Sequence, residues 1–111
     1  MTTHHVNTVF NQHMSFTADI DGHKVNMDDP SAEITDNSGP SPKRLMLAAL
    51  AGCTGIDIVS ILNKMKVSFG DFSINVHAAL TNDHPKFYNL VKITYKIKVA
   101  EEDKPKMIKA V

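Results

Sequence analysis

A single cysteine, Cys53, stands in the 111-residue chain, so no disulfide can form within it. The opening MTTHHVNTVF lacks the basic-then-apolar pattern of a secretory signal, and with one unpaired thiol the expected setting is a reducing cytoplasm. An excess of either charge is also missing. Twelve basic side chains balance twelve acidic ones, for a formal net charge of zero. Nucleic acid and membrane surfaces attract clustered positive charge, so the expectation is no nucleic-acid partner and no membrane partner. No internal repeat, low-complexity tract or linker breaks the chain, which is expected to fold as one domain. At this length a core is feasible but marginal for a monomer.

What is present alternates between strand and helix patterns. Met14, Phe16, Ala18 and Ile20 alternate with Ser15, Thr17 and Asp19, the period of a strand with one wet face. Asp21-Gly22 predicts a tight turn, with His23, Val25 and Met27 on the returning strand. The run DDPSAEITDNSGPS from Asp28 to Ser41 predicts a loop. Ser41 suits an N-cap and Pro42 a first helical position, opening a helix to about Lys66, after which Phe69-Gly70-Asp71 returns the chain to sheet. Phe72, Ile74, Val76, Ala78 and Leu80 share one face of the next strand. Val91, Ile93, Tyr95, Ile97 and Val99 share one face of the last, opposite Lys92, Thr94, Lys96 and Lys98. Thr81 to Tyr88, with Pro85, predicts an antiparallel hairpin loop. Pro105 opens a short helix with Met107, Ile108 and Val111 on its apolar side. The class is therefore α+β with antiparallel sheet.

The long helix sets the demands. From Leu45 to Leu62 it is apolar almost all the way round, and such a helix must be covered on all sides. Gly52, Gly55, Asp57 and Ser60 interrupt it, and a carboxylate at bilayer depth costs about 2.5 kcal/mol or more, so a buried core helix is expected in place of a membrane span. Four short strands cover one side. The rest is expected from a second copy of the chain, with Ala48, Ala49, Ala51, Gly52 and Gly55 letting another helix approach: an obligate homodimer.

Cys53 has two readings: an inert core thiol, or a nucleophile activated by a cation from a loop or second subunit. Asp57, one turn on, is structural or tunes Cys53, although a carboxylate there disfavours a thiolate. Arg44, the lone arginine, stands at N3, where glutamate suits the helix dipole better. It is a solvated surface residue or a relocated cation serving the thiol. The six histidines, His4, His5, His13, His23, His77 and His84, show no metal-ligand spacing, with His13 and His77 placed on polar strand faces; no metal or cofactor is expected.

The stretch GPSPKRLMLAALAGCTGIDIVSILNKMK resembles the cysteine-bearing helix of the OsmC/Ohr family, with its Gly-Pro-Ser-Pro approach and Ala-Gly-Cys-Thr ending. DIDGHKVNMD, VSFGDFSINVHAALTNDHPKFY and DKPKMIKAV are similar too, so the likeness runs from about Met14 to Val111. It implies an OsmC-like fold, antiparallel sheets wrapped around long central helices in an intertwined homodimer. It also implies thiol-dependent reduction of organic hydroperoxides, with Cys53 as the attacking residue and a sulfenic acid intermediate. The family's resolving cysteine belongs to a C-terminal helix past Val111, which implies an external thiol reductant or a longer native chain. Where related sequences carry a glutamate early in the helix, this one has Lys43-Arg44. Where they carry an arginine near the first strands, it has His13, Met14, Ser15 and Phe16. These departures keep an alternative open: a catalytically weak dimer of the same fold, serving stress response or small-molecule binding.

Overall fold

In the computed structural model, which describes residues 2–81 and 88–110, Asp21 and Gly22 take φ values of 53° and 86°. Positive φ at both central residues closes a two-residue hairpin whose twist matches its strands. The turn joins β2 (Ser15–Ile20) to β3 (His23–Met27), with Ile20 paired to His23. Gly22 N–H donates to Asp19 Oδ1 at 2.9 Å, and Lys24 Nζ donates to Asp19 Oδ2.

Described residues group into two units, Met1–Met46 and Leu47–Val111, the division falling inside the long helix. The first holds a three-stranded antiparallel sheet, ordered β1-β2-β3. Its β1 (Asn7–Gln12) is a strand beyond the four expected, making five among the described residues. All six of its residues are exposed, so no buried apolar stripe marked it in the sequence. Met14 belongs to the β1–β2 turn, not to a strand, and His13 beside it takes φ 52°. The expected wet and buried faces also need correction. Ser15 is buried, because its hydroxyl bonds with Ser38 Oγ at 3.0 Å and accepts from Asn11 Nδ2 at 3.2 Å. Phe16 and Ile20 remain exposed, Phe16 packing on Phe10 with ring centroids 5.3 Å apart.

The loop from Asp28 to the helix cap is tied by one carboxylate. Asp28 is 1 % exposed and accepts from the backbone N–H groups of Asp29 (2.7 Å) and Ser38 (3.1 Å) and the hydroxyls of Thr35 (3.1 Å) and Ser38 (2.9 Å). Its own N–H donates to the Pro40 carbonyl at 3.0 Å. Gly39 fits there because a Cβ would stand 2.3 Å from the Asn26 carbonyl oxygen. Ser41 then caps α1 (Pro42–Lys64), its Oγ accepting from Arg44 N–H at 3.3 Å.

The second unit is built on the later turns of α1. The helix ends at Lys64, and Lys66 just beyond it is left-handed at φ 59°; Val67 N–H reaches back to the Leu62 carbonyl at 2.9 Å and Lys66 N–H to that of Asn63 at 3.1 Å. This Schellman arrangement stops the helix before Phe69-Gly70-Asp71, where the sequence placed the turn. The chain runs straight on into β4 (Phe69–Leu80), paired antiparallel with β5 (Tyr88–Val99). Asp71, at φ 51°, makes a bulge in β4 between Gly70 and Ser73. A 3-10 turn (Glu101–Asp103) leads into α2 (Lys104–Ala110). Ile58, Leu62, Val67 and Ala110 form the core, flanked by Phe72, Tyr95 and Met107 among others. Ala110 thus takes an inward place expected of Ile108, which is 69 % exposed. The hairpin loop with His84 and Pro85, and Val111, lie outside the described residues.

By length and composition α1 passes as a membrane span, and only 11 % of its most apolar window is buried. Ile58 and Leu62 are its buried residues, whereas Met46 and Ile56 are 65 % and 72 % exposed. One chain therefore covers one side of the helix. Among the described residues nothing encloses the helix on all sides.

Candidate functional site

Helix geometry decides which way the lone thiol faces. Cys53 stands about two and a half turns before Leu62, which puts it on the opposite side of α1 from the residues buried against β4 and β5. Cys53 is accordingly exposed, and the inert core thiol is excluded for this chain on its own. Among the described residues no side chain hydrogen-bonds to its sulfur.

Asp57 follows one turn later on the same side and is also exposed in the single chain. Next to it, Thr54 donates its hydroxyl to the Leu50 carbonyl at 2.8 Å, satisfying itself within the helix. Arg44 belongs to the first unit. It is exposed, and its Nη1 donates to Ser41 Oγ at 3.2 Å, reinforcing the cap in place of the glutamate of a capping box. His77 is exposed opposite Lys92 on the wet face of the hairpin. His13 sits in a turn, not on a strand face, with Nδ1 3.2 Å from Asp36 Oδ1.

Two features escaped sequence reading. One is the Asp28 knot, whose signal was an aspartate followed by Thr35 and Ser38 within a short polar loop. The other is a groove of about 720 Å³ between α1 and β4. Gly52 and Gly55 lower its helical wall, and Ile56, Val59, Phe72 and Ile74 make it apolar. Ser60, Asn63 and Ser73 add polar, uncharged groups. Gly55 leaves room for the strand, since a Cβ there would lie 3.1 Å from Ile74 Cδ1, tighter than an ordinary contact. Gly52, the residue before Cys53, is part of the lining, and Cys53 itself is not. Its lining joins residues of α1 to residues of β4 that lie 9 to 23 positions further along the chain, so only the paired elements reveal it.

Residues 35–111 match the family described as OsmC-like protein. This chain belongs to the OsmC-like family. Protein YhfA of Escherichia coli K12 is 28 % identical over 74 residues, a match covering 67 % of this chain and 52 % of YhfA. The chain thus matches about half the length of that relative. Among solved structures, a hypothetical protein from Aquifex aeolicus VF5 superposes with a TM-score of 0.83 at 23 % identity, covering 100 % of this chain and 77 % of that one. An OsmC-like protein from Mycoplasma pneumoniae gives 0.80 at 16 %, covering 98 % and 80 %. At these identities the likeness establishes the α+β fold with two antiparallel sheets. OsmC-like membership places Cys53 in the helix region that the family match includes.

Proposed function

We propose that this OsmC-like chain is a thiol-dependent peroxidase for organic hydroperoxides, working as a homodimer in a reducing cytoplasm with Cys53 as its nucleophile. The observation that carries this reading is the exposure of the free thiol of Cys53 on the uncovered side of α1. The thiolate sulfur attacks the outer peroxide oxygen, the O–O bond breaks, and the alkoxide leaves and takes up a proton. Sulfur is oxidised to sulfenic acid while the peroxide is reduced to an alcohol. An external thiol then displaces water to form a mixed disulfide, and a further thiol reduces it.

The homodimer reading rests on the bare sides of α1. Large exposed apolar residues such as Ile56 and Leu50 are poorly suited to water, and a second copy of the same helix matches them. Sedimentation equilibrium should return a dimer mass at micromolar concentration; a monomer independent of concentration refutes it.

A second reading, a binding protein with weak catalysis, is favoured by one fact: among the described residues no cation contacts the Cys53 sulfur. Thiolates are stabilised by such neighbours. Exposure of the reduced protein to cumene hydroperoxide and hydrogen peroxide, with mass spectrometry of Cys53, separates the two. Fast sulfenic acid formation that prefers the organic peroxide supports the peroxidase. Rates equal to those of a free thiol support the binding protein.

A further inference from the structure

We infer that the outward face of the β4–β5 hairpin binds the phosphate backbone of nucleic acid without reading its bases. Antiparallel pairing sets Asn75 opposite Thr94 and His77 opposite Lys92, and all four are exposed hydrogen-bond donors. Lys96 and Lys98 extend the row along β5 and are exposed too. Lys, Thr and Asn are among the side chains that contact phosphate oxygens in protein–DNA complexes. Asp71, the one acidic residue in either strand, stands apart in the bulge between Gly70 and Ser73. Glu101, just after β5, is paired with Lys104 at 2.8 Å. Among the described residues Lys92, Lys96 and Lys98 make no ion pair, so no carboxylate neutralises them. A net charge of zero counts the whole chain, whereas a polyanion meets one face of it, and on this face the fold gathers positive charge alone.

Spacing selects the kind of polyanion. Residues 92, 94, 96 and 98 follow one another on one side of the strand about 6.6 Å apart, close to the separation of successive phosphates along a nucleic-acid strand. They read Lys, Thr, Lys, Lys, a donor for each phosphate. An extended peptide would need an acidic residue at every second position to match the same row. Phe72 and Tyr95 are half-buried on the other face, packed on the core, so the outward face offers no ring on which a base could stack. Contact is therefore with backbone and indifferent to sequence. Because the other face packs toward Ile58 and Leu62 of α1, the helix pairing proposed above uses a different surface.

The test is fluorescence anisotropy of the full chain with a labelled random-sequence duplex and the matching single strand, titrated at several salt concentrations. Three phosphate contacts per chain should give log K against log salt a slope of about −2.7 for the duplex and about −2.1 for the single strand. Lys92→Gln and Lys96→Gln should each bring the slope toward zero by about one and weaken binding severalfold at low salt, with Tm unchanged. Lys24→Gln, on the first sheet, should change neither. Duplexes of different sequence should bind equally within about twofold. Absence of binding at low salt overturns the proposal, as does a slope that survives both lysine substitutions. Polyglutamate or phosphatidylserine vesicles that compete as well as the duplex at equal charge would assign the face to an acidic protein or to lipid, and overturn it as well.

Discussion

Ser38 gives Asp28 two hydrogen bonds to the same carboxylate oxygen, from its N–H at 3.1 Å and its hydroxyl at 2.9 Å. This pair holds the loop that carries the chain from β3 to the cap of α1. Ser38, with Asp29 and Thr35, holds the Asp28 carboxyl below its ordinary value of 3.8, the Ser38 N–H acting most strongly and burial opposing.

Asp28→Asn should therefore lower Tm at neutral pH, on the order of 5 °C, because an amide N–H₂ or a single carbonyl replaces acceptors that face four donors. A carboxyl lowered by folding stabilises the fold above its unfolded value and loses that contribution as pH falls through the folded value. The Tm gap between wild type and Asp28→Asn should close below about pH 3.8, measured by calorimetry across pH. A gap that is constant with pH would show that the charge of Asp28 is not what matters.

Gly39→Ala should be destabilising by more than about 1 kcal/mol, reversing the usual gain from removing a loop glycine. The added Cβ meets the backbone carbonyl oxygen of Asn26 at 2.3 Å, and backbone cannot swing aside as a side chain would. Urea denaturation measures it; a neutral outcome would mean that the loop relaxes away from β3.

Lys66→Gly should stabilise the chain by about 1 kcal/mol. Lys66 is exposed and holds a left-handed conformation, φ 59°, that costs an L-residue energy and glycine nothing. The same denaturation experiment reads the gain, and a loss would indicate that the lysine stem contributes packing that outweighs its backbone cost.

Gly52→Ala separates the chain from its assembly. Nothing in the chain lies within 4 Å of a Cβ at Gly52, so alanine should raise helix stability by about 0.5–1 kcal/mol. If the helices of two copies meet across Gly52, as proposed, the same methyl should weaken the dimer. Sedimentation at several concentrations should show the variant dissociating at higher concentration than wild type; unchanged association would move the seam away from Gly52.

Particular residues show how far the sequence could be read. Ser41-Pro42, Asp21-Gly22 and the alternation from Ile93 to Val99 each act through local backbone preference or strand period, and each appears where it was read. Strand β1 was missed because it buries nothing, leaving the period without its usual contrast. The helix stop near Lys66 also falls about where it was read, although the left-handed position carries lysine and not the glycine that usually marks such an end. Cys53 stood out in the sequence as the lone thiol. Whether it faced core or water depended on which side of α1 met the sheet.

Composition and spacing alone determined the α+β class, the long apolar helix and its cap, because these follow from propensities and periods within a few residues. Tertiary structure decided the rest: that Asp28 is buried and tied by Ser38, that Ile58 and Leu62 take the sheet side of α1, and that Cys53 is left outward on its uncovered side. Burial and hydrogen bonding between distant residues are set by how elements pack, and a helix apolar on every side carries no local mark of which side will be covered.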